Sequence, residues 1–221
     1  MKKIVVDLEM NNISHQSLAR AFCRMETIEI GAVMLDENLQ EISSFRTYVK
    51  PQYNECITSK IRKLTGITDE MVANAPMFKE AFKMFTNWCL GTGDDVIIYA
   101  WSDTDYNQIK KEMELKDYEV AENEKQIMDT EWTDFQKEFD CHLGFDRQVS
   151  LKTALEMAGV DISGREHDAL DDARNTAQLL QIFNDEALFD KTLKKIEDLM
   201  KPSSLENTLG SMFDFSACTF A

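Results

Sequence analysis

The chain has 221 residues, enough for one domain with a sizeable core, and its 43% hydrophobic and 29% charged content excludes a fibre or a disordered chain. Acidic residues outnumber basic ones 40 to 24, a formal charge of −16, so overall charge does not favour a polyanionic ligand. The carboxylates then have two uses: a solvated acidic surface, or commitment to divalent metals that reverse the local sign.

No apolar run approaches membrane-spanning length. The opening M-K-K-I-V-V-D-L-E has too few apolar residues before Asp7 for a secretory leader, so a cytoplasmic protein without a membrane partner is expected. The five cysteines (Cys23, Cys56, Cys89, Cys141 and Cys218) are scattered without a C-x-x-C pair, and buried free thiols are expected rather than disulfides or a zinc site.

In chain order, Ile4 to Leu8 is short, β-branched and interrupted by carboxylates at its end, the pattern of a buried central strand. Asn11 to Arg24 reads as a loop with a short helix. Thr27 to Leu35 is a second strand, Asp36 to Leu39 a turn, and Glu41 to Val49 a third strand ended by Pro51. From Thr58 the period becomes helical. One short helix stops at Gly66, and another, capped by Thr68 or Asp69, ends near Pro76. Phe78, Phe82, Phe85 and Cys89 form a helical stripe that belongs to the core. Val96 to Trp101 is a continuous apolar strand, followed by a helix over Asp103 to Leu115. After the charged stretch 119–125, a helix is predicted over Trp132 to Phe139. Another runs from a Ser150 cap through Met157 to Gly159, a long one covers His167 to Phe183, and one more covers Ala187 to Met200. The predicted organisation is a domain over 1–200 and a tail over 201–221, with an α/β layer structure.

Three groups of carboxylates stand out. Asp7 and Glu9, two apart on a strand, share a face with Val5, while Ile4, Val6 and Leu8 take the other. Such a pair either reaches solvent at the strand end or holds a divalent cation, since two unpaired buried acids are costly. Asp103 and Asp105 follow the Val96–Ala100 segment. Asp103 suits a helix cap, whereas Asp105 lies further in, on the face of Ile109. In G-R-E-H-D-A-L-D-D-A-R-N-T-A, the inward stripe of Ala169, Ala173, Thr176, Leu180 and Phe183 includes Asp172. Asp168 is explained as an N-cap, and Asp171 shares a polar face with Asn175 and Gln178, so Asp172 is the acid without a structural role. His167 precedes it, where it can enter the same cleft.

Together V-V-D-L-E-M-N, W-S-D-T-D-Y-N-Q-I and H-D-A-L-D-D-A resemble the three motifs of the DnaQ-like, or DEDDh, 3′→5′ exonucleases. I-E-I-G-A-V and K-L-T-G-I-T-D-E-M-V-A-N-A-P resemble that family's recurring segments, so the likeness covers roughly Lys3 to Phe183. It implies an RNase H-like α/β fold with a mixed central sheet flanked by helices. It also implies a two-metal phosphodiester hydrolase in which Asp7, Glu9, Asp105 and Asp172 hold two Mg²⁺ or Mn²⁺ ions. His167 would be the general base, and nucleoside 5′-monophosphates would leave a single-stranded 3′ end. By the same resemblance Met10 contacts the terminal base, unless it only fills the strand end, and Asn11 and Arg165 are further substrate candidates. Lys60, Arg62 and Lys63 are nearby cations. The second motif and T-G-I-T look more like the KapD and histone-mRNA exonuclease branch, which favours RNA over DNA. Alternatives are a DNA proofreading or repair exonuclease and a non-catalytic binding module. The segment after the first motif and the tail would shape the groove or support a homodimer.

Overall fold

The computed structural model describes residues 1–54 and 56–200. The tail and Cys218 lie outside the described residues.

Five strands form one mixed sheet in the order β3-β2-β1-β4-β5. They are β1 (Lys2–Asn12), β2 (Met25–Leu35), β3 (Glu41–Tyr48), β4 (Val96–Ala100) and β5 (Trp132–Asp134). β1 is antiparallel to β2 and parallel to β4, β2 is antiparallel to β3, and β4 is parallel to β5. The helices are α1 (Ser59–Thr65), α2 (Asp69–Ala73), α3 (Phe78–Leu90), α4 (Thr104–Leu115), α5 (Glu122–Asp129), α6 (Phe135–Leu143), α7 (Leu151–Ala158), α8 (Ala169–Asn184), α9 (Glu186–Thr192) and α10 (Lys194–Met200). A 3₁₀ turn, Leu18–Ala21, lies in the β1–β2 connection. No helix among the described residues is long and apolar enough to cross a membrane.

The alternation in β1 decides the layers. Ile4, Val6 and Leu8 pack with Phe78, Phe82, Phe85 and Cys89 of α3, so the aromatic stripe is core as expected. Val5 faces the opposite layer, with Phe135, Phe139, Leu179 and Leu180 from α6 and α8. Each fully buried phenylalanine contributes roughly 1.5–3 kcal/mol of apolar burial.

Four local expectations are corrected. Trp132 to Asp134 is not helical. It pairs with β4, Ile98 opposite Trp132 and Ala100 opposite Asp134, before the Asp134 carboxylate caps α6 by accepting from Lys137 N at 2.9 Å. The charged stretch enters helix α5, because Glu124 turns inward and accepts from Ala121 N (2.6 Å) and Tyr118 Oη (2.5 Å). The helix expected over Ala187 to Met200 is two helices broken at Leu193, which is fully buried. Of the four described cysteines, Cys23 and Cys89 are buried, but Cys56 and Cys141 are exposed.

Candidate active site

The site lies where β1 outlasts its parallel neighbour. β4 pairs with β1 only as far as Val5 opposite Tyr99, which leaves the Leu8 amide without a strand partner on that side. Asp105, in the first turn of α4 and 5% exposed, accepts that amide at 3.1 Å. Asp105 is therefore fixed against the β1 residue between Asp7 and Glu9. Asp103 is exposed and makes no capping bond with its side chain.

Across β1, Asp7 pairs with Gly31 and Glu9 with Glu29 on β2. A β-bulge follows Glu9, where Met10 pairs with Thr27 and Ile28 is the extra residue. Gly31 is what lets α8 approach. A Cβ there would overlap the carbonyl carbon of Ala169 and the amide nitrogen of Leu170. The first turn of α8 thus rests on the sheet beside Asp7, and it carries Asp172.

Asp172 Oδ2 accepts the His167 amide at 3.0 Å, and the side chain also bonds that of Asn175. His167 has φ 61°, a left-handed conformation that is uncommon outside glycine, although histidine adopts it more readily than most residues. Glu9, His167 and Asp172 each offer a ligand atom, and these atoms lie within 4.8 Å of one another. A cavity of about 270 Å³ opens beside His167 and Asp172, with Lys152 and Glu166 on its wall.

Burial and mutual repulsion dominate the electrostatics. Burial, then the charges of Asp172, Glu29 and Asp105, push Glu9 up to about 8. Asp7 is raised well above the usual carboxylate range by burial and then by Asp105, Glu9 and Asp172. Burial lifts Asp105 to about 7 against the lowering effect of the Leu8 amide. Asp172 is raised by burial, despite the opposing His167 amide. Among the described residues no lysine or arginine forms an ion pair with any of the four. Crowded oxygen donors without a protein cation suit hard divalent ions, and a neighbouring imidazole is compatible with Mn²⁺ as well. The donor set therefore fits a divalent metal.

The substrate candidates separate. Met10 is half-buried against the apolar cluster under α3. Asn11 is fully buried, its Nδ2 donating to Cys56 O at 3.1 Å and its Oδ1 accepting from Thr58 N at 3.0 Å. Both halves of the amide hold the segment before α1. Arg165 is exposed and lies over Gly66, within 3.5 Å of the Leu64 carbonyl, while its own amide donates to Asp171 Oδ2 at 2.8 Å. Lys60 and Lys63 are exposed, and Arg62 pairs with Asp69. Asn175, expected on a polar face, is fully buried. It accepts from Ser163 N at 2.9 Å and anchors the loop that leads to His167. Glu29 was not singled out in the sequence. Its I-E-I-G context reads as a continuous apolar strand, although its two-residue spacing from Gly31 puts it on the site face.

Known proteins resemble this chain in sequence and in fold. Residues 4–180 match the RNase T family, described as exonuclease. ERI1 exoribonuclease 2 of Mus musculus is 29% identical over 94% of this chain and 32% of its own length. The 3'-5' exoribonuclease 1 of Rattus norvegicus is 28% identical over 70% of this chain and 45% of its own. The chain thus spans less than half the length of either relative. The nuclease domain of 3'hExo, a DEDDh family member solved with rAMP, superposes with a TM-score of 0.70 at 22% identity, covering 81% of this chain and 90% of that one. That likeness identifies the RNase H-like exonuclease fold. With its matched segment running through all three carboxylate motifs, the chain belongs to the RNase T exonuclease family.

Proposed function

We propose that the protein is a 3′→5′ exonuclease that removes nucleoside 5′-monophosphates from single-stranded 3′ ends, with RNA preferred over DNA. The observation that carries this reading is the crowding of Asp105, Glu9 and Asp172, from three separate elements, around Asp7, with ligand atoms of Glu9, Asp172 and His167 within 4.8 Å of one another. The names of the mouse and rat relatives support RNA.

The four carboxylates would hold two Mg²⁺ or Mn²⁺ ions. Bound there, such ions supply an activated water and charge stabilisation at the leaving 3′ oxygen. The chain's own work is positional. Asp105 is set by the Leu8 amide, and Asp172 is set by the His167 amide and Asn175. The His167 imidazole takes the proton of the attacking water at a ring nitrogen, the role for which imidazole suits near-neutral pH. Met10, at the bulge beyond Glu9, packs against the terminal base, and the Arg165 guanidinium meets backbone phosphate. Residues 1–200 suffice for this activity, leaving 201–221 as an appendage.

Equal-length single-stranded RNA and DNA of one sequence, labelled at the 5′ end, test the reading in Mn²⁺ and in chelator. The expected result is a ladder shortening from the 3′ end with mononucleotide release, faster on RNA and absent in chelator. Internal cleavage or release of inorganic phosphate would overturn the exonuclease reading. Faster loss of DNA would overturn only the choice of polymer.

A further inference from the structure

Arg46 lies on β3 directly opposite Gly31, so the sheet sets Asp7, Gly31 and Arg46 in one row on the α8 face. Its guanidinium joins two carboxylates of different origin. Nε donates to Glu29 Oε1 at 2.7 Å, and Nη2 donates to Asp168 Oδ2 at 2.5 Å. Nη2 also reaches Tyr48 Oη at 3.1 Å, and the group lies 5.4 Å from the centre of the Tyr48 ring. The other oxygen of each carboxylate holds the start of α8: Glu29 Oε2 accepts from Ala169 N and Asp168 Oδ1 from Asp171 N, both at 3.3 Å. One cation thus closes two tethers from the sheet to the helix that begins two residues after His167.

His167 needs such a restraint. A non-glycine residue at φ 61° costs on the order of 1 kcal/mol and keeps that conformation only when its surroundings enforce it. On one side the Asp172 carboxylate holds its amide. On the other, Asp168 is held by Arg46. Without Arg46, the fully buried Glu29 and the nearby Asp168 would be two like charges with no cation between them. The turn would then relax, and the direction of the imidazole with it. Arg46 forms no ion pair with Asp7, Glu9, Asp105 or Asp172, and Asp105 stays held by the Leu8 amide and Asp172 by Asn175, so metal binding is expected to change less than the direction of the imidazole.

We propose that Arg46 is a positioning residue that fixes the orientation of the His167 imidazole through the Glu29–Arg46–Asp168 clamp. This rests on the reading of His167 as the base. The test is a double-mutant cycle of Arg46→Met and His167→Ala in the full chain, read by single-turnover rates on a 3′-labelled RNA, with Mn²⁺ affinity measured separately. Arg46→Met is expected to lower the rate on the order of 10- to 100-fold while Mn²⁺ affinity changes less than about threefold. On top of His167→Ala it should add less than about twofold. Arg46→Lys keeps the charge without the two-pronged fork and should fall between, which keeps the test informative if the methionine variant folds poorly. Additive losses would overturn the proposal and leave the His167 reading standing. A His167→Ala enzyme with undiminished rate would overturn both. An unimpaired Arg46→Met enzyme, or a parallel loss of Mn²⁺ binding, would remove Arg46 from this role.

Discussion

Glu9 and Asp105 hold protons at pH values where surface carboxylates are ionised, Glu9 up to about 8 and Asp105 up to about 7. Both are raised above their unfolded values, so between about pH 4.5 and 8 the metal-free folded state binds more protons than the unfolded chain. Stability contributed by these groups is present at low pH and lost as pH rises through 7 to 8. In chelator, the melting temperature should therefore fall between pH 5 and 8.5, and Glu9→Gln should flatten that slope. A slope of the opposite sign in differential scanning calorimetry would show that the carboxyls are not crowded. The same crowding separates stability from activity. Asp172→Asn should cost on the order of a hundred- to a thousandfold in rate, yet leave the metal-free melting temperature equal or higher; a large loss of folding would show a structural role instead. The placement of Asp172 beside His167 and Glu9 was legible in the sequence because it is the acid on an otherwise apolar helical stripe, and the burial of Asp105 because it shares a face with Ile109. The burial of Asn11 was not, because the Cys56 and Thr58 backbone groups that bond its amide are about 45 residues away in sequence and leave no local periodic signal.

Helix α8 carries Asp172 into place and begins two residues after His167, and its approach depends on a glycine in another element. Gly31→Ala should force α8 away from β2, since the obstacles are backbone atoms of Ala169 and Leu170 that no rotamer change can move. The expected cost is about 1–3 kcal/mol of stability, as for other overpacked cores, with a loss of rate larger than that destabilisation implies. Chemical denaturation beside single-turnover kinetics checks it, and an unchanged rate would show that α8 does not need this contact. Elements long enough to show their period, such as β2, α3 and α8, were legible from patterning. β5 was not, because its three residues give no alternation and its strand identity comes entirely from β4. α5 was hidden for a related reason: its charged sequence reads as solvated, and only Tyr118 and the Ala121 amide make Glu124 an inward residue. The division at Leu193 likewise arises from packing, since Leu193 is buried in the cluster with Phe189 and Phe139.

At the scale of the whole molecule, a formal charge of −16 sets a general repulsion against which a polyanionic substrate must approach, and at the site Asp7 and Glu9 are crowded by further carboxyl groups. A divalent ion bound by the carboxylates relieves both problems, because it lowers the local negative charge and stabilises only the folded chain. At a hundredfold excess over its dissociation constant a single site stabilises by about 2.7 kcal/mol, which for a domain near this size raises the melting temperature by roughly 5–10 °C. Mn²⁺ at constant ionic strength should produce such a rise at pH 7.5. Equivalent K⁺ should not, since screening acts weakly on buried groups. The rise should grow with pH from 6 to 8, because the ion competes with the protons that Glu9 and Asp105 otherwise retain. In Glu9→Gln the metal-free protein should start from a higher melting temperature and gain less from the ion. Equal increments in both proteins would show that Mn²⁺ binds elsewhere on the acidic surface, and the charge of this chain would then serve solubility rather than chemistry.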